Sequence, residues 1–297
     1  MTNLLEKPVI DENKYMNSMY DRIFKSIVQN PNFKKLLSLI ISEVTDFSAS
    51  FIYENLVFVN TELPIGNKGD RGMITDILAY VDGSIINIEA NKFFKLSSIG
   101  KNNLYHHKIA YEQYKRGKDV DDTVTLQINF NMIRTFGNKL FEVFSMKNED
   151  GTYRDEENFK RVHINMANPL KKYYTNSELS KIEKALVIFQ ITNKDEVWKL
   201  AKGDEDLEAM AKIIDDINKD EEIIGAYYKD EMDEWMKKID INEAKKDGQI
   251  EGHIEGSKEK ALEIARNSLE IGLDVDVISK ITGLSTEDIE KMKTEGL

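Results

Sequence analysis

The chain has no cysteine in its 297 residues, which excludes disulfides and thiolate metal sites and agrees with a reducing compartment. Its amino terminus, "MTNLLEKPVIDENKYM", lacks a basic stretch followed by an apolar one, so no signal peptide is read there. Apolar runs such as "KALVIFQI" are far too short to span a bilayer. A soluble, cytoplasmic protein is expected. Net positive charge is also missing: the formal balance is −12, which taken whole argues against a nucleic-acid partner.

The distribution of charge qualifies that. Residues 203–234 carry 13 acidic and 3 basic side chains, a local −10. Residues 92–118 carry seven Lys or Arg (Lys92, Lys95, Lys101, Lys108, Lys115, Arg116, Lys118) against Glu112 alone, a local +6. Such a basic segment suits a phosphate backbone; the plainer reading is a lysine-decorated helix face. Hydrophobic residues make up 41% of the chain, enough for a sizeable core in one large domain or two smaller ones.

The stretch "TDILAYVDGSIINIEANKFF", residues 75–94, reads as a β-hairpin. Asp82-Gly83 is a favoured pair for a two-residue type I′ turn, where both residues need φ > 0. The flanking runs are β-branched and short. With that turn, paired residue numbers sum to 165 and Asp76 faces Glu89. Opposed residues have Cβ atoms about 4.5–5.5 Å apart. Two opposed carboxylates repel, more so when partly buried, and a divalent cation removes the conflict. The plain alternative is a solvated acidic face. A retaining glycosidase also uses carboxylates at about this spacing, but no aromatic sugar platform accompanies the pair.

Helical periodicity is expected within 16–46, where "FKKLLSLIISEV" repeats apolar residues at core-facing spacing. Strands are expected in 51–65, 122–130, 139–148 and 160–166, and a helix from Ser97 to about Lys115, ended by Gly117. "GNKGDRG", 66–72, is a glycine-punctuated loop whose Lys68 and Arg71 are placed to meet phosphate or solvent. Helices follow over 177–200 and 204–238. In the tail, Ala244, Gly248, Gly252 and Gly256 recur every four residues, a small-residue stripe that permits close helix approach, so a homodimer through the tail is expected. The alternative is a fraying linker helix, since each glycine costs about 1 kcal/mol relative to alanine. Gly272 and Gly283 break two short helices, and Ser285 reads as an N-cap; the pair looks like a small helix-turn-helix with few basic residues. Domains are expected at 1–200, 201–240 (acidic, helical) and 241–297.

"DRIFKSIV", "TELP", "KGDRGMITDILAYVDGSIINIEANKFF", "YHHKIAYEQYKRGKDVDDTVTLQINF", "VHINM" and the tail ending "ISKITGLSTEDIEKM" together resemble the PD-(D/E)XK nuclease family of transposase-like proteins, the recombination-promoting nucleases. The resemblance implies an α/β fold: a restriction-endonuclease-like mixed sheet flanked by helices, followed by an all-helical C-terminal region. It implies Mg²⁺ (or Mn²⁺) held by Asp76, Glu89 and the Ala90 carbonyl, with Glu43 a candidate extra acid. The broad superfamily that the resemblance implies has lysine two residues after the glutamate, and close relatives often have glutamine; here Asn91 stands there. Asn91 shares a face with Glu89 and can orient a water, whereas Lys92 has the charge but points to the other face of a regular strand.

The expected function is therefore a metal-dependent DNA endonuclease tied to recombination or mobile elements. Asp76, Glu89, Asn91 and Lys92 would be its catalytic residues, and Lys68, Arg71, Lys95, Lys101, Lys108, Lys115 and Arg116 its DNA contacts. The alternative is the same fold without turnover, acting as a DNA-binding or protein-interaction module. The acidic segment covering the basic helix is a further expectation.

Overall fold

A computed structural model describes residues 8–9, 11–59, 62–63, 73–92, 96–115, 124–133, 136–153 and 158–294. The described residues divide into two compact units, one within residues 9–228 and one within residues 229–294.

In the larger unit, α1 (Asp21–Val28), α2 (Lys34–Ser42) and α3 (Ala49–Asn55) precede the strands β1 (Val57–Val59), β2 (Glu62–Leu63), β3 (Met73–Ile74), β4 (Ile77–Val81) and β5 (Ser84–Asn91). Then come α4 (Leu96–Lys115), β6 (Thr125–Asn131), β7 (Phe141–Phe144) and β8 (Phe159–Asn165). The unit closes with α5 (Ala167–Tyr174), α6 (Lys181–Ile188), α7 (Lys194–Ala201), α8 (Glu205–Ile217) and the start of α9 (Glu221–Glu270). Six strands form one mixed sheet in the order β1-β4-β5-β6-β8-β7; β2 and β3 pair separately. β5, β6 and β8 run parallel at its centre, with antiparallel strands outside them. This is the α/β architecture with a long helical C-terminal region that the sequence led us to expect.

The sheet has two chemically different faces. Alternation puts Ile86, Ile88, Leu126, Ile128, Phe130, Val162 and Ile164 on one side, all buried in the main core. Phe24 of α1, Phe130 and Phe189 meet there with ring centroids 5.3 to 6.1 Å apart, and Phe33 packs on Phe189. The other side carries Asn87, Glu89, Gln127, Asn129, Asn131, His163 and Asn165, every one buried. That polar layer lies under α4, whose Asn102, His106, Ile109 and Gln113 recur at helical spacing and are also buried.

Several elements depart from expectation. Residues 51–55, read as strand, are helical in α3, because Ser48 caps the turn by accepting from the Phe51 N–H at 3.2 Å and Phe47 stacks on Phe51 one turn on. The region 16–46 is two helices: Asn30-Pro31 interrupts it, with Asn30 accepting from the Asn32 N–H. β7 occupies only Phe141–Phe144 of the expected 139–148. The 201–240 segment is split by packing. Leu207, Met210, Ala211, Ile213 and Ile214 of α8 belong to the main core, so the first unit extends to Tyr228 rather than ending near residue 200. Gly117 lies outside the described residues.

In the second unit the later part of α9 leads to α10 (Val275–Thr282) and α11 (Thr286–Thr294). Ala265, Ile278 and Ile289 form its small core, with Leu269, Val275, Leu284 and Met292 around them. Gly283 ends α10 at φ +76°, a conformation glycine adopts without strain. Ser285 accepts from the Asp288 N–H at 3.1 Å, the expected N-cap. Ala244, Gly248, Gly252 and Gly256 are all exposed along α9.

Candidate metal and nuclease site

The site begins at the β4–β5 hairpin. Asp82 (φ 44°) and Gly83 (φ 80°) make the turn with both residues left-handed. Val81 pairs with Ser84 and Ile77 with Ile88, so the register sum of 165 holds to the end of β4; one residue further on, Asp76 is near enough for its charge to act on Glu89. β4 stops there, and Asp76 sits in a bend. The Ala90 N–H, which would otherwise look for a β4 carbonyl, donates to Asp76 Oδ2 at 2.8 Å. Asn91 turns the other way, its carbonyl accepting from the Met132 N–H beside β6 at 3.1 Å. The Ala90 peptide groups therefore face the Asp76 side of the strand.

Glu89 is 2% exposed. Its Oε1 accepts from Asn87 Nδ2 at 3.1 Å. Burial first, then the charge of Asp76, push its carboxyl up to about 8; Asn87 and Lys101 act in the opposite direction. Asp76 is also raised, chiefly by burial and next on the raising side by Asp21, against the Ala90 N–H, Lys25 and Lys101. Neither carboxylate has an ion-pair partner among the described residues. A buried carboxylate in this state must hold a proton or a cation. The donors present are hard oxygens (Asp76, Glu89 and the Ala90 carbonyl), the set that suits Mg²⁺ completed by water and phosphate. Among the described residues no cluster of three or more His, Cys, Asp or Glu side chains suited to a metal occurs, so the donors they bring to this site are two carboxylates and a backbone oxygen.

Asn91 continues the polar face. Its Nδ2 donates to Asn131 Oδ1 at 3.1 Å, and its Oδ1 accepts from Asn102 Nδ2 at 3.3 Å. Lys92 lies on the opposite side, as strand alternation requires, with Nζ 3.9 Å from the centroid of the Tyr20 ring. Glu43 is exposed at the C-terminal end of α2. The acid whose charge reaches Asp76 is instead Asp21, the first residue of α1, ion-paired with Lys25 at 2.8 Å. Asp21 and Lys25 are not among the site residues expected from the sequence. The signal was the i,i+4 pair in "DRIFKSIV", whose Ile23, Phe24, Ile27 and Val28 are buried and leave the charged pair on the outer face.

Of the expected DNA contacts, Lys101 is exposed on α4 and its charge lowers both site carboxyls. Lys108 is half-buried and ion-paired with Glu112 at 2.8 Å. The Lys115 side chain, and Lys68, Arg71, Lys95 and Arg116 entirely, lie outside the described residues. His106 is fully buried, bonded through Nε2 to Thr125 and stacked on Phe159; burial drives its pKa down to about 3, so it is a neutral packing group. The acids of α8 and the turn before it engage Lys35, Lys181 and Lys219 rather than α4, which leaves the expected acidic cover of the basic helix without support among the described residues.

No helix among the described residues is long and apolar enough to cross a membrane. No curated protein and no solved structure matches the chain. The family model described as the Rpn/YhgA-like nuclease family, C-terminal HTH domain, matches residues 258–294, the region of α10 and α11. The model described as PD-(D/E)XK nuclease family transposase matches residues 18–244, well over half the chain and the whole hairpin site. With the mixed sheet, the paired carboxylates and the helical tail in place, the chain belongs to the PD-(D/E)XK nuclease family transposases.

Proposed function

We propose that the protein is a Mg²⁺-dependent DNA endonuclease (Mn²⁺ an alternative ion) that hydrolyses phosphodiester bonds at the Asp76–Glu89 pair. The observation that carries this reading is buried Glu89 beside half-buried Asp76, neither with an ion-pair partner among the described residues, and the Ala90 peptide turned toward them. Bound by Asp76, Glu89 and the Ala90 carbonyl, the ion would supply Lewis acidity to the scissile phosphate and lower the pKa of an attacking water. Asn91 orients that water from the same strand face. Lys101 balances a flanking phosphate, which is positioning rather than sequence reading. Asp21 takes the extra acidic role first considered for Glu43. Lys92, held over Tyr20, contributes charge from the opposite side of β5. The word transposase in the family description supports a role in recombination or mobile elements.

The C-terminal helix-turn-helix is proposed to bind DNA, and the exposed Ala244–Gly256 stripe of α9 to pair two copies of the chain. Size-exclusion chromatography with light scattering tests the pairing: a monomer at micromolar concentration counts against it.

The second reading is a nuclease fold that binds without turnover, favoured by Asn91, an uncharged amide with no positive charge to lower the pKa of an attacking water. Supercoiled plasmid separates the two. Mg²⁺-dependent nicking that is lost in EDTA and in both Asp76→Ala and Glu89→Ala supports the enzyme. Retained nicking in both variants refutes this site.

A further inference from the structure

The polar layer under α4 has a direction that two backbone carbonyls determine. Asn131 Nδ2 donates to the Asn129 carbonyl at 3.0 Å, and a carbonyl can only accept. The amide end of Asn131 is thereby assigned, and its Oδ1 is the group that receives Asn91 Nδ2. Independently, Asn129 Nδ2 donates to the Val162 carbonyl at 3.2 Å, so Asn129 Oδ1 must accept, and it does so from Asn102 Nδ2 at 2.9 Å. The second hydrogen of Asn102 goes to Asn91 Oδ1. Gln127 Nε2 fixes α4 at this turn by donating to the Asn102 carbonyl at 2.8 Å.

We propose that Asn102 of α4 and Asn131 of β6 are positioning residues that lock the Asn91 amide from both ends in one polarity. This rests on the endonuclease reading above. An asparagine amide offers two N–H donors and two oxygen lone pairs. With one of each committed, Asn91 retains one donor and one acceptor at the half-buried edge of the layer, the pair needed to hold a water in one orientation. Asn91 is thus built into a network that an ammonium at this position, having donors only, could not join at the Asn102 end.

The network makes a second, independent statement. One Asn131 hydrogen is used on the Asn129 carbonyl and the other points at His163 Nδ1, 3.1 Å away. That nitrogen must be bare, so His163 is neutral with its proton on Nε2.

Two experiments test the proposal. Long-range ¹H–¹⁵N correlation spectra of the metal-free protein at pH 7 report the His163 tautomer; Nε2–H is expected, and a proton on Nδ1 overturns the lock. In Asn131→Asp, which has the same shape but no donor, His163 should move its proton to Nδ1; an unchanged tautomer also overturns it. Steady-state nicking then tests the role. Asn102→Ala and the isosteric, polarity-reversed Asn102→Asp should both lower kcat roughly 10- to 100-fold, the scale of a small misplacement of a reacting group. KM should hold, because the buried Asn102 side chain does not reach substrate. Asn102→Asp retaining wild-type kcat refutes positioning. Absence of any nicking by the wild type overturns the endonuclease reading and the role with it, while the tautomer still decides whether the amides are locked.

Discussion

Glu89→Gln should make the metal-free protein more stable, by a margin that grows as pH rises above about 5. The Glu89 carboxyl is raised from 4.5 to about 8 by burial and by Asp76. A raised carboxyl contributes stability that is complete below the unfolded value and lost as pH climbs through the folded one. Between those values the folded state keeps a proton that the unfolded chain has released. The protein therefore loses about 1.4 kcal/mol per pH unit from this group. The full span sets a ceiling of about 5 kcal/mol; sharing of the proton with Asp76 and local relaxation bring the expected gain for glutamine to on the order of 2 to 3 kcal/mol at pH 8.5. Glutamine keeps an oxygen to accept from Asn87 Nδ2, so the packing cost is small. In thermal unfolding with EDTA, that gain corresponds to about 4 to 12 °C at pH 8.5 for a domain of this size, shrinking toward zero at pH 4.5 to 5. Adding Mg²⁺ should raise the midpoint of the wild type and leave Glu89→Gln nearly unmoved. A glutamine variant less stable than wild type at pH 8.5 in EDTA would refute the reasoning, since Glu89 would then be a satisfied structural group.

His163 tests the polar layer from the acid side. Burial holds its pKa down to about 4, so its contribution is complete above 6.5 and is lost as pH falls from there toward 4. Relative to His163→Gln, the wild type should lose on the order of 1 to 3 kcal/mol in urea titrations between pH 7 and 4; parallel curves would contradict a buried neutral histidine. Asn91→Lys should lower the nicking rate instead of raising it, because it strands the Asn102 donor and adds a desolvated charge; faster nicking would show that a missing cation limits turnover. Gly283→Ala, at φ +76°, should destabilise the small C-terminal unit by about 1 kcal/mol without altering the hairpin site, read by hydrogen exchange of α10 and α11.

What could be read from the sequence was local. Asp82-Gly83 and the β-branched runs around it determine a register through turn geometry alone, so the opposition of Asp76 and Glu89 was legible before any coordinates. Gly283 and Ser285 mark a helix end and start through backbone conformation and one capping bond, and were equally visible. Residues 51–55 were misread because aromatic and β-branched composition outweighed one serine cap, the kind of short-range contest that periodicity does not settle. Asp21 was missed because its relation to Asp76 is tertiary: nothing within "DRIFKSIV" says which strand lies beside the helix. The amide lattice was half visible. "NIEAN", "QINFN" and "HIN" show polar residues at every second position, but that Asn91, Asn131 and His163 hydrogen-bond in series depends on the parallel pairing of β5, β6 and β8 across more than seventy residues of chain.

The central claim is that Asp76 and Glu89 share one divalent cation. Anomalous diffraction from crystals soaked in Mn²⁺ tests it most directly. The account predicts a single peak in contact with both carboxylates and the Ala90 carbonyl oxygen, absent in Glu89→Gln. Saturating Mn²⁺ with no density between the two side chains, in a protein that still nicks DNA, would contradict it.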